Sequence, residues 1–175
     1  MKKKILTFDV ETTTHNYGHF ADKRNSLVLS GFKWLGEPPF HFTHNHCSLD
    51  YQDHRGKIQT VINEASCLVG FNIKFDLHWM KNLGINLDNI SVWDCQLAEF
   101  ILSSQTLKPN KNSLNEALTR HSLPLKLDVV KTEFWDKGID TYDIPMDVLV
   151  PYLDQDLIAT ESLFKIQRQQ FMDML

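Results

Sequence analysis

The chain has no run of 18 or more apolar residues, so no membrane-crossing helix is expected. It has no CxxC pair. Its three cysteines, Cys47, Cys67 and Cys95, are odd in number and far apart, which argues against a disulfide framework and suits a reducing cytoplasm. Internal repeats, low-complexity tracts and Pro-, Gly- or Ser-rich linkers are missing, so one domain over residues 1–175 is expected. A signal peptide is missing too: "MKKKILTFDVETT" opens with basic residues, but an acid at residue 9 breaks its apolar stretch and no small-residue cleavage site follows. Nor is there a large charge of one sign. Net charge is −4, and a site that engaged four of the 22 acids would leave 18 against 18 bases. Bound cations would cancel the local field, so a polyanionic partner is not excluded. What is present, 42% hydrophobic and 23% charged residues, is the composition of a soluble globular protein.

Periodicity divides the chain into strands first and strand–helix alternation later. Strands are expected at 4–10, 25–36 and 40–44, with short links that suggest an antiparallel meander. Ile58, Val61 and Ile62 have helical spacing within 51–65. "CLVGFN" (67–72) reads as a buried strand, 75–85 as a helix stopping at Gly84, 90–94 as another buried strand and 95–104 as a helix. Residues 112–123 carry a capping signal, with Asn112 or Ser113 before the apolar positions and Glu116 in the first turn. Residues 124–145 are less regular. A last helix should run from about Tyr152 to Met172, with Pro151 at its start. This pattern implies an α/β fold, a mixed sheet with helices packed on it.

Within the first strand, "FDVET" (8–12) places Asp9 and Glu11 two residues apart. Side chains at i and i+2 share a face roughly 6–7 Å apart, and like charges there repel. Something cationic should hold them. Asp76, in "VGFNIKFDLHW" (69–79), falls in the first turn of a helix, where an acid also serves as a cap. In "YLDQD" (152–156), Tyr152 and Asp156 are i and i+4 on one helix face, while Asp154 points elsewhere into solvent. Each is unremarkable alone. Together, DxE on a strand, NxxFD after a strand and YxxxD on a late helix supply the hard oxygen ligands that two Mg²⁺ ions about 3.5–4 Å apart need for phosphodiester hydrolysis. The polar loop at 12–25, "TTTHNYGHFADKRN", is longer than a hairpin turn requires and suits a binding role. His44, His46 and Cys47 fit no standard zinc spacing and read as a strand-plus-loop cluster.

These three motifs, in this order, resemble the DEDD superfamily of 3′–5′ exonucleases in its tyrosine-containing branch. The likeness is to the proofreading domain of family A, DNA polymerase I-like enzymes, particularly phage forms. "SVWDCQLAEFILSS" and "KNSLNEALTRHSLP" are similar to segments between the second and third motifs, so the resemblance covers nearly the whole chain. It implies a ribonuclease H-like mixed five-stranded sheet with helices on both faces. It also implies two Mg²⁺ ions, with Mn²⁺ able to substitute, held by Asp9, Glu11, Asp76 and Asp156, with Tyr152 orienting the attacking water. The implied reaction releases 5′-mononucleotides from the 3′ end of single-stranded DNA. Asn72 would lie beside the terminal nucleotide, with Thr12 and Tyr17 as further substrate contacts. Relatives place an apolar wedge where this sequence has His15, Asn16 and Tyr17; Tyr17 or Phe20 could stack on a base for ~1–3 kcal/mol. A DNA polymerase in cis or in trans is the implied partner, with no membrane and a monomeric state in the cytoplasm. An RNase D-like exoribonuclease and a non-catalytic nucleic-acid-binding or polymerase-partner module are the alternatives.

Overall fold

The computed structural model describes residues 4–108 and 112–174; Lys2 and Lys3 of the basic start and Lys111 of the "KNSLNEAL" stretch lie outside them. Five strands form one sheet in the order β3-β2-β1-β4-β5. The central strand β1 (Ile5–Thr12) runs antiparallel to β2 (Leu27–Trp34), which pairs with β3 (Pro39–Thr43) to complete the expected meander. On its other side β1 is parallel to β4 (Cys67–Gly70), and β4 to β5 (Ser91–Asp94). Parallel neighbours need crossover connections. Helices α1 (Arg55–Glu64) and α2 (Lys74–Asn82) lie in those connections.

Alternation along β1 divides the core. Leu6, Phe8 and Val10 point to one face and pack with Ile58 and Ile62 of α1 and Trp79 and Met80 of α2. Each such fully buried side chain contributes about 1.5–3 kcal/mol. The opposite face is covered by α3 (Cys95–Leu102), α4 (Leu114–Arg120), α5 (Val129–Glu133) and α6 (Met146–Asp173). There Val28 and Leu29 meet Leu149, Leu153 and Leu157 of α6, and Val69 meets Leu118 and Phe164. The result is the mixed five-stranded α/β sheet with helices on both faces. Gly84 follows α2 in the left-handed region, at φ 87°, as its place in the sequence predicts. The capping box forms as well: Ser113 Oγ accepts from Glu116 N, and the Glu116 carboxylate accepts from Ser113 N at 2.9 Å.

Two expectations are corrected. β5 is not a buried strand: Val92 is 45% exposed, because β5 is an edge with β4 as its one neighbour in the sheet. And α6 does not begin near Tyr152. It starts at Met146, where Val148 N and Leu149 N donate to Pro145 O, and it continues through Pro151. Pro151 cannot donate to the carbonyl of Asp147. Both residues are on the exposed side, where water can satisfy that carbonyl, while Leu149, Leu153 and Leu157 anchor the buried side.

Candidate active site

The site forms where α6 crosses β1 and β2. Gly31 of β2 is the register partner of Asp9. A Cβ at Gly31 would come within 2.8 Å of Leu153 and 2.9 Å of Leu157, so the missing side chain is what lets α6 lie on the sheet. Tyr152 and Asp156 immediately precede those leucines and are carried down with them. Asp9, Glu11 and Asp156 consequently converge, each offering an oxygen within 4.8 Å of the others. Glu11 and Asp156 are buried and Asp9 is half-buried.

Asp76 arrives from the other side. It lies in the first turn of α2, is buried, and its Oδ1 accepts from Val10 N at 3.1 Å. That bond fixes the start of α2 to β1 between the two acids of "DVE". Asp76 and Asp9 also hydrogen-bond to each other through their carboxyl groups.

A cation that motif reasoning missed, Lys126, enters the site against Asp156 and Tyr152. Its Nζ lies 2.7 Å from Asp156 Oδ1, 3.0 Å from Asp156 Oδ2 and 3.1 Å from Tyr152 Oη, and 4.6 Å from the centre of the tyrosine ring. The available signal was indirect: two like charges on one strand face require a partner, and nothing local to "FDVET" supplies it.

Burial is the main influence on every ionisable group here. It raises the pKa values of Asp9, Glu11 and Asp76, with repulsion from Asp9 adding to the rise at Glu11 and Asp76. Asp156 is pushed up to about 7 by burial and then by Asp9, against the opposing pull of Lys126. Burial also raises Tyr152, followed by the charge of Asp156, so its hydroxyl stays protonated at neutral pH and acts as a donor. Burial lowers Lys126, but Asp156 and Tyr152 outweigh it and leave the ammonium firmly charged. Among the described residues, one cation against these four carboxyls leaves the cluster short of positive charge. Asp156 Oδ1 is ion-paired with Lys126 but outside hydrogen-bonding geometry, so a buried oxygen lacks a donor. Converging hard oxygens with an unfilled lone pair suit a divalent cation such as Mg²⁺.

Beside Glu11 opens a cavity of about 540 Å³, lined by Thr12, Tyr17, Phe75, Lys131 and Trp135 among others. Tyr17 is 97% exposed, and both it and Asn16 hold positive φ, 58° and 47°. Thr12 is buried, its hydroxyl donating to Thr13 O. Phe20 is stacked between His19 and His78 and packs locally. Asn72 lines a different cavity of about 380 Å³, with Lys74, Leu97 and Phe100. Its backbone is at φ 55° and its N–H donates to Asp94 Oδ1, which also caps α3. Asp154 points away from the site as expected, but it is not simply solvated: His41 Nε2 lies 2.6 Å from its Oδ1. The histidine cluster serves separate partners, His44 facing Ser30 Oγ and His46 facing Ile144 O, while Cys47 is exposed.

Comparison with known proteins adds the following. A family model described as 3′-5′ exonuclease matches residues 2–170. No curated protein matches the sequence. Among solved structures, the family B DNA polymerase from the hyperthermophilic archaeon Pyrobaculum calidifontis is similar at 14% identity and TM-score 0.64, over 94% of this chain and 24% of that one. The chain therefore spans about a quarter of that polymerase's length. Brucella melitensis NrnC bound to pGG is similar at 11% identity and TM-score 0.68, over 98% of this chain and 75% of that one. A second NrnC structure, with bound Mg²⁺, gives 12% identity and TM-score 0.62 over the same shares.

Proposed function

The chain belongs to the 3′–5′ exonuclease family of the DNA polymerase A type, and on that premise we propose that it hydrolyses the terminal phosphodiester at the 3′ end of single-stranded DNA, releasing 5′-mononucleotides. The observation that carries this reading is the convergence of Asp9, Glu11 and Asp156 within 4.8 Å, with the Tyr152 hydroxyl one helical turn from Asp156. Divalent cations held by Asp9, Glu11, Asp76 and Asp156 would supply Lewis acidity, lowering the pKa of an attacking water and offsetting charge on the phosphate.

The chain's own groups do the rest. Tyr152, kept neutral, donates a hydrogen bond to the attacking water and so turns a lone pair of that water toward phosphorus. The depth of the carboxyls keeps bulk water from competing for ligand positions. The terminal base enters the cavity beside Glu11, where Tyr17, Phe75 and Trp135 present aromatic faces and Lys131 offers a cation to the backbone. A base stacked there must be free of its complement, which favours a single-stranded or frayed end. Proofreading for a DNA polymerase, in cis or in trans, is the setting that such a preference suits.

A second reading is an exoribonuclease acting on short RNA, favoured by the likeness to NrnC, whose structure holds pGG. The same carboxylates would serve either sugar. The test is digestion of 3′-labelled single-stranded DNA, duplex DNA and RNA, each with Mg²⁺ and with EDTA, alongside the Asp9→Ala variant. Mononucleotide release from the single-stranded DNA with Mg²⁺, absent in EDTA and in the variant, is expected. Faster release from RNA would select the second reading. Activity that survives EDTA, or digestion from the 5′ end, would overturn both.

A further inference from the structure

We infer that Lys126 is a positioning residue of this site, holding the Tyr152 hydroxyl as a donor and competing with the divalent cation for Asp156. Its backbone is fixed from two sides. Lys126 N donates to Asn115 Oδ1 at 3.1 Å, Asn115 Nδ2 donates to Lys126 O at 3.3 Å, and the next residue, Leu127, donates its N–H to Gln155 Oε1 at 3.1 Å. Helices α4 and α6 thus clamp an otherwise irregular segment so that one side chain, 14% exposed, enters the site. A lysine ammonium only donates. Its bond to Tyr152 Oη occupies a lone pair of the phenol, so the tyrosine proton must point elsewhere, toward the acids and the reacting water.

The second consequence is electrostatic. Asp156 supplies an oxygen to the converging carboxylates and is at the same time the ion-pair partner of Lys126. A cation bound by those carboxylates and the ammonium would be two positive charges on one buried carboxylate. Like charges a few ångströms apart oppose each other, and burial weakens the screening between them. Metal binding therefore proceeds against Lys126, and Asp156 is divided between them. A lysine serving only to pack the loop would leave metal affinity untouched.

The turnover part of this inference rests on the exonuclease reading; the metal part does not. Lys126→Met and Lys126→Gln are compared with wild type by Mn²⁺ calorimetry and by single-turnover digestion at saturating Mn²⁺, with melting temperatures confirming folding. Both variants should bind Mn²⁺ about tenfold or more tightly. Lys126→Met should also turn over about tenfold more slowly, and Lys126→Gln, whose amide still donates to Tyr152, should recover part of that loss. If Lys126→Met does not fold, the affinity of Lys126→Gln decides the metal part. Unchanged or weaker Mn²⁺ affinity overturns the inference, and tighter binding with wild-type turnover in both variants overturns the tyrosine part. Tighter binding in variants of a wild type that digests no 3′ end would retain the metal part and remove the exonuclease reading.

Discussion

Tyr152 and Asp156 sit one turn apart on α6, and the charge around them sets what each can do. The phenol is held protonated by burial and by the nearby acid, so it cannot serve as a base. In the proposed reaction its contribution is one directed hydrogen bond. Tyr152→Phe removes that bond and no charge, so hydrolysis should slow by about 10–100-fold while Mn²⁺ affinity stays the same. Single-turnover digestion paired with calorimetry checks this; undiminished turnover would reduce the tyrosine to packing against Trp135. Asp9 with Glu11 and Tyr152 with Asp156 were legible in the sequence as local pairs, i and i+2 on a strand and i and i+4 on a helix, and Asp76 as an acid in the first turn after a strand. Lys126 was not, since it lies 26 and 30 residues from its two partners, in a stretch without periodicity.

Among the elements, β2 and α6 decide whether the motifs meet at all. Gly31 stands where any larger residue would push Leu153 and Leu157 outward. Gly31→Ala should destabilise the protein by about 1–3 kcal/mol through overpacking, measured by denaturant unfolding. It should also reduce exonuclease activity by more than the lost stability explains, because lifting α6 withdraws Tyr152 and Asp156 from Asp9. An unaffected rate would mean that the helix relaxes in place. Hydrophobic periodicity located these elements well, since one buried stripe or face generates it. It failed at the β5 edge of the sheet and the start of α6: an edge strand and a central strand share the same apolar lettering, and the proline at 151 reads as a start when its lost bond faces solvent.

Across the whole molecule, burying four carboxyls links stability to pH and to metal. Asp156 is raised to about 7 from an ordinary value of 3.8, and the other three move in the same direction. The folded chain then binds more protons than the unfolded one between about pH 4 and 7. Without metal, its stability should be greatest at the acid end of that window and fall as pH rises through it. His44 works the opposite way, since burial depresses it to about 4 and the folded state loses stability as pH falls from its ordinary 6.5. Denaturant unfolding in EDTA, compared between wild type and Asp156→Asn, cancels His44. Wild type should lose stability relative to the variant as pH rises from 4 to 7; a flat or inverted difference would contradict the raised Asp156. Stabilisation by added Mg²⁺ should grow with pH over the same window, because the ligands must be deprotonated.

By itself the sequence determined most of the strands and helices, the order of the three acidic motifs and the kind of chemistry their oxygens can do, because periodicity and short spacing are local properties of the chain. The close seat of α6 on Gly31, the place of Asn72 in a cavity other than the one beside Glu11, and the lysine that pairs with Asp156 and Tyr152 were decided only by tertiary structure. Each depends on groups distant along the chain being packed into one buried place, where charge must find charge.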